Sequence, residues 1–440
     1  MSRRNDSRRA KRTSRREFLK TSATVLAGTA AASLPISQSA YAAGSDTLKV
    51  GVIGCGDRGP SAAANAMKAD RGVKIVAMAD VFMDRVKAAR DGLKQSNPDQ
   101  MAVDDDHCFA GFDGWKKVLD SGIDVVLIAC ASRFHPPYMK AFIEAGKHVF
   151  VEKPHAIDPA GMRTVIEAAE LAKQKNVCCL SGLHLRYEPG VVETMKRVLD
   201  GAIGDIVAME VNFLREPYVV RQRDPKWSEI EFQYRNWYHF RWLSGDDVLQ
   251  SMIHPITVAL WAMKEEPPRM AHALGGRSSS FGPQYGDVFD HTSVVYEFPK
   301  GVRLYGFVRT QVGCYGNYSA ILMGTKGRAV MVAGNYIEGE TKWEYDGPKI
   351  GGHQVEQNEL FKALRAGKTI NSGDYMVRTT QIAMLGQMAV YTGKQLTWND
   401  IVKSNFAYEP KTCDFSTTPP VLPDEKGIYP VPVPGVTKMS

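Results

Sequence analysis

A hydrophobic run that leads directly into a glycine-rich loop constrains the fold of this chain more than any other feature. Residues 48–53 (LKVGVI) are typical of a buried strand, residues 54–59 read Gly-Cys-Gly-Asp-Arg-Gly, and the alanine-rich stretch 61–69 is typical of a helix. The order strand, glycine loop, helix is the local structure with which doubly wound α/β domains bind the diphosphate of a dinucleotide. We therefore predict a domain of this class near the start of the folded sequence.

The loop residues have separate tasks in this interpretation. Gly54 makes the tight turn, Gly56 lets the main chain approach the diphosphate, and Gly59 lets the helix pack closely on the strand. The unpaired N–H groups and the positive end of the helix dipole meet the same anion. We therefore also include Cys55 and Arg58 among the predicted cofactor contacts.

A carboxylate at the end of the second predicted strand indicates which dinucleotide is bound. The strand at 74–79 ends in Asp80, about 20 residues beyond the glycine loop, where an acidic side chain binds the ribose hydroxyls of the adenosine. The same charge would repel a 2′-phosphate, so Asp80 favours NAD over NADP. Arg85 lies near enough in sequence to leave NADP open as the less favoured alternative.

Further apolar runs, at 124–129, 148–151 and 177–181, lack the polar alternation of a half-exposed strand. Such runs are typical of a parallel sheet that helices cover on both faces.

The seven cysteines form no CxxC pair and no cluster with the spacing of metal ligands. We therefore expect mostly buried thiols, with no disulfide framework and no metal site.

The net charge of +7 does not indicate an acidic partner, because it is confined to one end of the chain. Nine of the 55 basic residues and two of the 48 acidic residues lie in residues 1–42, so the remaining sequence is neutral and gives no reason to expect nucleic acid. The same segment contains Arg15 and Arg16, followed by the weakly apolar run 21–34 and the small residues 40–42. This order is that of a twin-arginine export signal.

We therefore expect export in the folded state by the twin-arginine machinery, cleavage near Ala42, and a periplasmic or secreted protein. A disordered basic tail is the alternative interpretation of residues 1–42. No later segment reaches the roughly 18 consecutive apolar residues of a membrane-spanning helix, so we expect no stable membrane insertion.

The segment 144–149 (EAGKHV), followed by Glu152-Lys153-Pro154 at the end of a predicted strand, makes a family resemblance specific. Together with the glycine loop, it resembles the Gfo/Idh/MocA family of sugar and cyclitol dehydrogenases. The resemblance covers roughly residues 46–405. It implies that Lys153 lies between nicotinamide and substrate, where a cation stabilises a developing alkoxide and relays its proton. It also implies cofactor contacts for Glu152 and His135, although His135 could equally cap the start of a helix.

The resemblance implies an α+β second domain with a large, mostly antiparallel open-faced sheet. It assigns residues 43–183 to the dinucleotide domain and 184–405 to the substrate and oligomerisation domain. The prolines of residues 406–440 indicate an extended arm over a neighbouring surface or subunit. In the segment 250–257, His254 matches the histidine that many members place near the reacting hydroxyl, with Gln250 beside it. Both carboxylates of the family pattern are absent here, and Thr257 stands at the place of one of them.

Arg186 and Tyr187 match a second family pattern, so they join Gln250 and His254 as predicted substrate contacts. Lys153 and His254 are the predicted catalytic residues. An aromatic stretch at 227–242 either lines a glycan pocket or packs in a core or interface.

These features predict an NAD-dependent oxidoreductase that acts on a secondary alcohol of a sugar or glycoside. Because free NAD is scarce outside the cytoplasm, we expect tightly bound NAD that is reduced and reoxidised in one cycle. Transhydrogenation between two sugars fits such a cycle, and so does an NAD-dependent glycosidase that oxidises its substrate transiently and eliminates the leaving group. A non-catalytic glycan-binding protein on the same scaffold is the rival class. We also expect a homo-oligomer.

Overall fold

The computed structural model describes residues 46–218 and 220–439, so the predicted export segment at 1–42 lies outside the described residues. The sequence from residue 46 onward is one compact unit that contains two sheets. Within the described residues, no helix is both long and apolar enough to cross a membrane.

The first sheet is parallel and has six strands in the order β3-β2-β1-β4-β5-β6. All four residues of β4 are buried, because helices cover both faces. The predicted doubly wound domain is therefore confirmed. Its strands are β1 (Leu48–Ile53), β2 (Val73–Asp80), β3 (Cys108–Ala110), β4 (Val125–Ile128), β5 (His148–Val151) and β6 (Cys179–Ser181).

Five helices connect these strands. Asp158 caps the last of them, where its side chain accepts a hydrogen bond from the Gly161 N–H, and Asn176 ends that helix in the left-handed conformation. The helices are α1 (Arg58–Ala69), α2 (Met83–Ser96), α3 (Gly114–Asp120), α4 (His135–Glu144) and α5 (Pro159–Lys175).

The second sheet has nine strands in the order β14-β13-β12-β11-β7-β10-β9-β8-β15. It is antiparallel except where β10 lies parallel to β7, so the predicted mostly antiparallel sheet is confirmed. The predicted hairpin turn at 299–301 joins β9 to β10. The strands are β7 (Ile206–Arg215), β8 (Met270–Gly276), β9 (His291–Glu297), β10 (Arg303–Thr310), β11 (Asn317–Gly324), β12 (Gly327–Met331), β13 (Tyr336–Gly339), β14 (Trp343–Glu344) and β15 (Leu396–Thr397).

The helices of the second half cover one face of this sheet and also reach the first domain. The apolar side chains of Leu360, Phe361 and Leu364 belong to the core under α1, so helix α10 packs on the first domain although it follows the second sheet in sequence. The helices are α6 (Pro189–Leu199), α7 (Glu229–Arg235), α8 (Arg241–Ser244), α9 (Ile253–Ala262), α10 (Gly352–Arg365), α11 (Gly373–Thr392) and α12 (Trp398–Lys403).

The proline-rich arm, residues 406–439, packs back on the same chain. Tyr429 is 1% exposed and lies in a small core with Phe232, Phe240 and Trp242. The seven cysteines are free thiols, and four of them are buried, as the sequence predicts. The aromatic stretch of the sequence is thus partly core, and Tyr234, Trp237 and Tyr238 also line the cavity described next.

Candidate active site

A cavity of about 440 Å³ opens at the carboxyl ends of β1, β2, β4 and β5. Gly54 lines it from the first domain, and Gln250 and His254 line it from the second. The strand order of the parallel sheet reverses between β1 and β4, which is where such sheets form a crevice for ligands. The volume lies in the range of about 300–1,000 Å³ that is usual for small-molecule sites.

The glycine loop has the shape that a diphosphate requires. Gly54 has a φ of +94°, and a Cβ added there would lie 2.5 Å from the main chain of Ala129. A Cβ on Gly59 would lie 1.8 Å from the Gly54 carbonyl oxygen, so only glycine lets the helix approach this closely. Gly56, in contrast, lines the cavity and has open space where its Cβ would stand. An anion can therefore reach the main chain at Gly56.

The first turn of α1 offers N–H groups to the same space. Asp57 precedes the helix without forming a side-chain cap, and the first turn contains no acidic residue. Asp57, Arg58 and Ser61 line the cavity. Uncapped N–H groups and the positive end of the helix dipole favour an anion here. The loop and helix thus fit the diphosphate of NAD.

Asp80 ends β2 beside the glycine loop and lines the cavity. Its carboxylate accepts hydrogen bonds from the N–H groups of Cys55 (2.7 Å) and Phe82 (3.1 Å). Burial raises the pKa of this carboxyl group. Arg85 and Arg235 line the same end of the cavity, so the preference for NAD over NADP stays a prediction.

Two of the predicted cofactor contacts shape the loop but do not line the cavity. The Cys55 N–H is committed to Asp80, and its buried thiol faces the Ala79 carbonyl at 3.5 Å. Gly59 is turned towards Gly54. The expectation that Cys55 and Gly59 contact the cofactor stays a prediction, whereas the close packing that the sequence assigns to Gly59 is present.

Lys153 lies at the carboxyl end of β5 and lines the cavity. Its Nζ donates a hydrogen bond of 2.7 Å to the main-chain carbonyl of Gln250. Burial lowers the pKa of Lys153 to about 8, although the Glu152 carboxylate opposes this shift. An amine with this pKa exchanges its proton near neutral pH, as a general acid or base requires.

A π-helical turn at Val248–Met252 presents the Gln250 carbonyl to Lys153. In a π-helix a carbonyl pairs with the N–H five residues further on, but that residue is Pro255, which has no N–H. The Gln250 side chain donates to Ser132 (2.9 Å) and to the Ser244 carbonyl (2.6 Å). Gln250 thus lines the cavity, and its contact with substrate stays a prediction.

Glu152 precedes Lys153 and is held by Arg58. The Arg58 Nε lies 2.5 Å from the Glu152 Oε1. Burial, the largest single influence, would raise the pKa of Glu152, but the charges of Arg58, His353 and Lys153 and the hydrogen bond from Arg58 together lower it. A Cβ on Gly182 would lie 2.8 Å from the Glu152 carboxyl group, so this glycine leaves the room that the carboxylate occupies.

His135 joins the ends of β4 and β5. Its Nδ1 lies 2.8 Å from the Pro154 carbonyl oxygen, and its Nε2 lies 3.0 Å from the Cys130 carbonyl oxygen. His135 is the first residue of helix α4, and it lines the cavity. Because both nitrogens face main-chain oxygens, His135 positions the segment that carries Lys153, and any contact with NAD is through the face or edge of the ring.

His254 lines the cavity as the first of three neighbouring histidines. The His184 ring centroid lies 4.6 Å from that of His254 and 4.0 Å from that of His353. Burial lowers the pKa of His254 and of His184 well below the usual range. Both imidazoles are therefore neutral at neutral pH, and the Nδ1 of each has no hydrogen-bond partner among the described residues.

The acids that precede His254 do not orient it. Asp247 pairs with Arg215 at 2.5 Å. Asp246 accepts a hydrogen bond from the Leu249 N–H (3.0 Å), and burial raises its pKa to about 7. His254 therefore acts without a carboxylate partner among the residues that the structure describes.

Arg186 and Tyr187 are not brought to the cavity. Arg186 donates to Thr257 (2.8 Å) and Glu265 (2.7 Å), and its guanidinium lies 4.9 Å from the centre of the Trp261 ring. Tyr187 packs against the core of the first domain. Their contacts with substrate stay predictions, and in this structure the Arg186 guanidinium is engaged by Thr257 and Glu265.

A segment from the second domain, residues 229–242, covers the adenosine end of the cavity; we call it the covering segment. Arg235 pairs with Asp84 at 3.0 Å and lies over the Phe82 ring at 3.8 Å. Tyr234 stacks on Phe134 with centroids 5.9 Å apart. The described side chains that line the cavity from this segment are Tyr234, Arg235, Asn236, Trp237 and Tyr238.

The carboxyl-terminal arm holds the covering segment from outside. The Tyr429 hydroxyl donates to Glu229 at 2.5 Å, and Gln233 donates to the Val421 carbonyl at 2.8 Å. Phe415 adds an edge contact to Phe112, with centroids 5.1 Å apart, at the rim of the cavity. The position of the covering segment therefore depends partly on the arm.

Family models match both halves of the described sequence. Residues 48–182 match the model "Oxidoreductase family, NAD-binding Rossmann fold", and residues 192–330 match the "GFO/IDH/MocA C-terminal domain". The chain belongs to the Gfo/Idh/MocA family. It is an NAD-binding oxidoreductase of that family, and the cofactor prediction is confirmed at this level.

Relatives within the Gfo/Idh/MocA family include curated inositol dehydrogenases. An inositol 2-dehydrogenase of Salmonella typhimurium is 26% identical over 73% of this chain and 87% of its own length. One from Paracoccus denitrificans is 31% identical over 35% of this chain, but the match spans only 42% of that relative.

Among solved structures, an aldose-aldose oxidoreductase from Caulobacter crescentus has a TM-score of 0.61 at 18% identity and covers 80% of this chain and 99% of its own. GenD2 from gentamicin A biosynthesis, in complex with NAD, has a TM-score of 0.60 at 19% identity and covers 80% and 96%. These structures establish the shared fold.

Sequence reasoning missed one pair of residues in this Gfo/Idh/MocA cavity. His353 and Glu356 come from α10, far along the chain from the motifs of the first domain. Together with Glu152 they place donor atoms within 4.8 Å of one another. Arg58 already supplies a positive charge between the two carboxylates, so we assign no metal ion there. The spacing His-x-x-Glu on one helix face is the signal that could have found the pair.

Proposed function

We propose that this Gfo/Idh/MocA protein transfers a hydride between NAD and a secondary alcohol of a sugar or glycoside. The observation that carries the proposal is the buried Lys153 amine, which lies in the same cavity as the glycine loop and His254 and has its pKa lowered to about 8 by burial. A non-catalytic binding protein has no need of an amine tuned in this way.

When NAD is bound, it supplies the hydride acceptor. Lys153 has the other task, which is to take the hydroxyl proton as the alcohol becomes a ketone. The neutral amine does this, so oxidation should speed up as the pH rises towards 8, and the reverse reduction should slow down. The Gln250 carbonyl at 2.7 Å fixes the position of Nζ for either direction.

His254 is the second proposed catalytic residue. Its imidazole is neutral because burial lowers its pKa, and its Nδ1 has no hydrogen-bond partner among the described residues. A neutral imidazole can orient the substrate hydroxyl or accept a proton from it. The absence of a carboxylate partner predicts a weaker base than the same histidine would be beside an aspartate.

We further propose that NAD stays bound through reduction and reoxidation. The covering segment supports this, because its side chains line the cavity and the arm binds it through Tyr429 and Val421. Residues 1–42 predict export, and free NAD is scarce outside the cytoplasm. Retention of the nucleotide would suit a protein that works there. Transhydrogenation between two sugars is the simplest closed cycle of this kind.

Purified protein tests these points directly. Nucleotide released on denaturation, in near-equimolar amount, supports retention. Protein that leaves purification without nucleotide and consumes added NAD stoichiometrically with product would contradict the closed cycle and leave the dehydrogenase function standing. Export is tested separately by Arg15→Lys with Arg16→Lys, which should abolish appearance of the processed protein outside the cytoplasm.

An NAD-dependent glycosidase is the second candidate. It is favoured by the imidazoles and acids around the cavity beyond Lys153 and His254, since oxidation of an alcohol alone does not need them. Release of alcohol from a glycoside without net change in NAD would support it.

We also propose a homo-oligomer, which light scattering of the purified protein tests.

A further inference from the structure

His353 places a further imidazole at the cavity wall, separated from that of His254 by the His184 ring. Its side chain is 40% exposed, and its Nδ1 lies 3.2 Å from the Oε1 of Glu356, one helical turn further along α10. No hydrogen bond engages its Nε2 among the described residues, and the residue lines the cavity. This nitrogen is therefore available to a group inside the cavity.

Glu356 is fully buried and shares a single cation with another carboxylate. The Arg58 guanidinium lies 3.2 Å from Glu356 Oε1 and 2.5 Å from Glu152 Oε1, whereas Glu356 Oε2 has no partner among the described residues. One guanidinium cannot neutralise two buried carboxylates. Burial, and then the negative charge of Glu152, raise the pKa of Glu356 well above its usual range. Tyr187 is the remaining titratable neighbour from another element.

The groups that face His353 keep its ring neutral. Burial lowers its pKa to about 4, Arg58 and Lys153 act in the same direction, and the carboxylates of Glu152 and Glu188 oppose them. A neutral imidazole carries one N–H. When Glu356 is protonated its O–H donates to Nδ1, so the N–H of His353 is on Nε2. When Glu356 loses its proton, Nδ1–H donates to the carboxylate and Nε2 becomes an acceptor.

We propose that His353 and Glu356 form a second proton-transfer pair in the cavity, in which Glu356 holds a proton that His353 delivers to a substrate oxygen. The inference rests on the proposed function and deepens it. Oxidation of an alcohol removes a proton and delivers none to substrate, so a proton-loaded acid serves a different step. That step is departure of an alkoxy group from the carbon β to the newly formed ketone, which defines the substrate class as rings with a leaving oxygen there.

The step balances without an added reactant. The ketone acidifies the hydrogen on the carbon beside it, and the neutral His254 accepts that proton. The C–H electron pair forms a carbon–carbon double bond, and the C–O bond to the leaving group breaks with its electrons going to oxygen. His353 gives that oxygen the Nε2 proton and takes the Glu356 proton at Nδ1. His353 is thus a catalytic residue, and Glu356 acts through it.

Nitrogen NMR of protein labelled with ¹⁵N-histidine tests the pair without substrate or turnover. His353 signals are assigned by their loss in His353→Gln. We expect the Nε2–H tautomer in the wild type at neutral pH, and a change to the Nδ1–H tautomer as Glu356 loses its proton at higher pH. Glu356→Gln should remove this pH-dependent change. Glu359→Gln, on the same helix and half exposed, is the matched control and should keep it.

A tautomer that is the same at all pH values, or one that still changes in Glu356→Gln, would overturn the pair whether or not the protein oxidises sugars. A second measurement compares two glycosides of one sugar. Glu356→Gln should slow alcohol release from a methyl glycoside at least tenfold and from a p-nitrophenyl glycoside much less, because a good leaving group needs no proton. Equal losses, or no release by the wild type, would overturn delivery to a leaving group.

Discussion

The Lys153 amine donates a 2.7 Å hydrogen bond to the main-chain carbonyl of Gln250, and this bond joins the two domains at the centre of the cavity. The lysine ends a strand of the parallel sheet, and the carbonyl belongs to a π-helical turn of the second domain. Since the turn precedes Pro255, the carbonyl lacks the N–H that a π-helix would offer it. The position of the proton-transfer group is therefore fixed by both domains.

The pKa of Lys153 predicts opposite pH profiles for the two directions of the reaction. Oxidation uses the neutral amine and should rise with pH and level off above about 8, whereas reduction uses the ammonium form and should fall through the same region. Lys153→Met should lower the rate of hydride transfer by about 10²–10⁴-fold. The pH profiles and the rate of the variant are both measured in single-turnover experiments that follow the absorbance of reduced nicotinamide. Lys94→Met, an exposed lysine on α2, is the control; equal profiles in both directions would contradict the assignment.

Two neighbouring glycines should respond in different ways to the same substitution. Gly59→Ala places a Cβ 1.8 Å from the Gly54 carbonyl oxygen, so we expect a loss of about 1–3 kcal/mol or more in the free energy of unfolding. Gly56→Ala meets no atom within 4 Å and should leave stability within about 0.5 kcal/mol while weakening NAD binding. Denaturant unfolding and NAD titration separate these effects. Full NAD affinity in Gly56→Ala would show that the diphosphate lies elsewhere.

Phe415 tests whether the arm retains the nucleotide. Its ring contacts Phe112 and Phe82 at the rim of the cavity, with centroids 5.1 and 6.3 Å apart. Because such ring pairs contribute about 0.5–1.5 kcal/mol each, Phe415→Ala should loosen the arm, lower the free energy of unfolding by about that amount and speed NAD release about tenfold. Leu422→Ala is a matched control, since Leu422 is 49% exposed and Phe415 is 50% exposed. Identical release rates in both variants would exclude retention by the arm.

Arg186 distinguishes the family pattern from the observed placement. Arg186→Met should lower the free energy of unfolding by about 1.5–3 kcal/mol, because it removes charged hydrogen bonds to Glu265 and Thr257. KM for the sugar should stay unchanged, because Arg186 does not line the cavity. Chemical denaturation gives the free energy of unfolding, and steady-state kinetics gives KM. A raised KM with unchanged stability would restore the predicted substrate contact.

The parts of the site that are predictable from sequence are those encoded by neighbouring residues. The glycine loop, Asp80 and Lys153 each follow a strand directly, so strand order in a parallel sheet brings them to one edge. His353 and Glu356 could not be placed in this way. The packing of Leu360 and Phe361 on the first domain carries their helix to the cavity, and no motif near them encodes that packing.

Arg186 shows the limit of a local pattern. Its pattern matches the family, but its guanidinium binds residues that lie about 70 to 80 positions further along the chain. Thr257 accepts one hydrogen bond from Arg186, and Glu265 accepts another. A motif thus shows where a residue lies in the sequence. The partners of its long side chain depend on tertiary contacts, which the motif does not contain.

The most direct test of the account is a single-turnover experiment on protein that retains its own nucleotide. A panel of myo-inositol, glucose and methyl and p-nitrophenyl glucosides is added without free NAD to the wild type and to Lys153→Met, and the near-ultraviolet absorbance of reduced nicotinamide is followed. The account predicts that at least one compound reduces the bound nucleotide in the wild type, and that Lys153→Met, with the same nucleotide content, reduces it at least a hundredfold more slowly. Equal rates of reduction in the two proteins would contradict it.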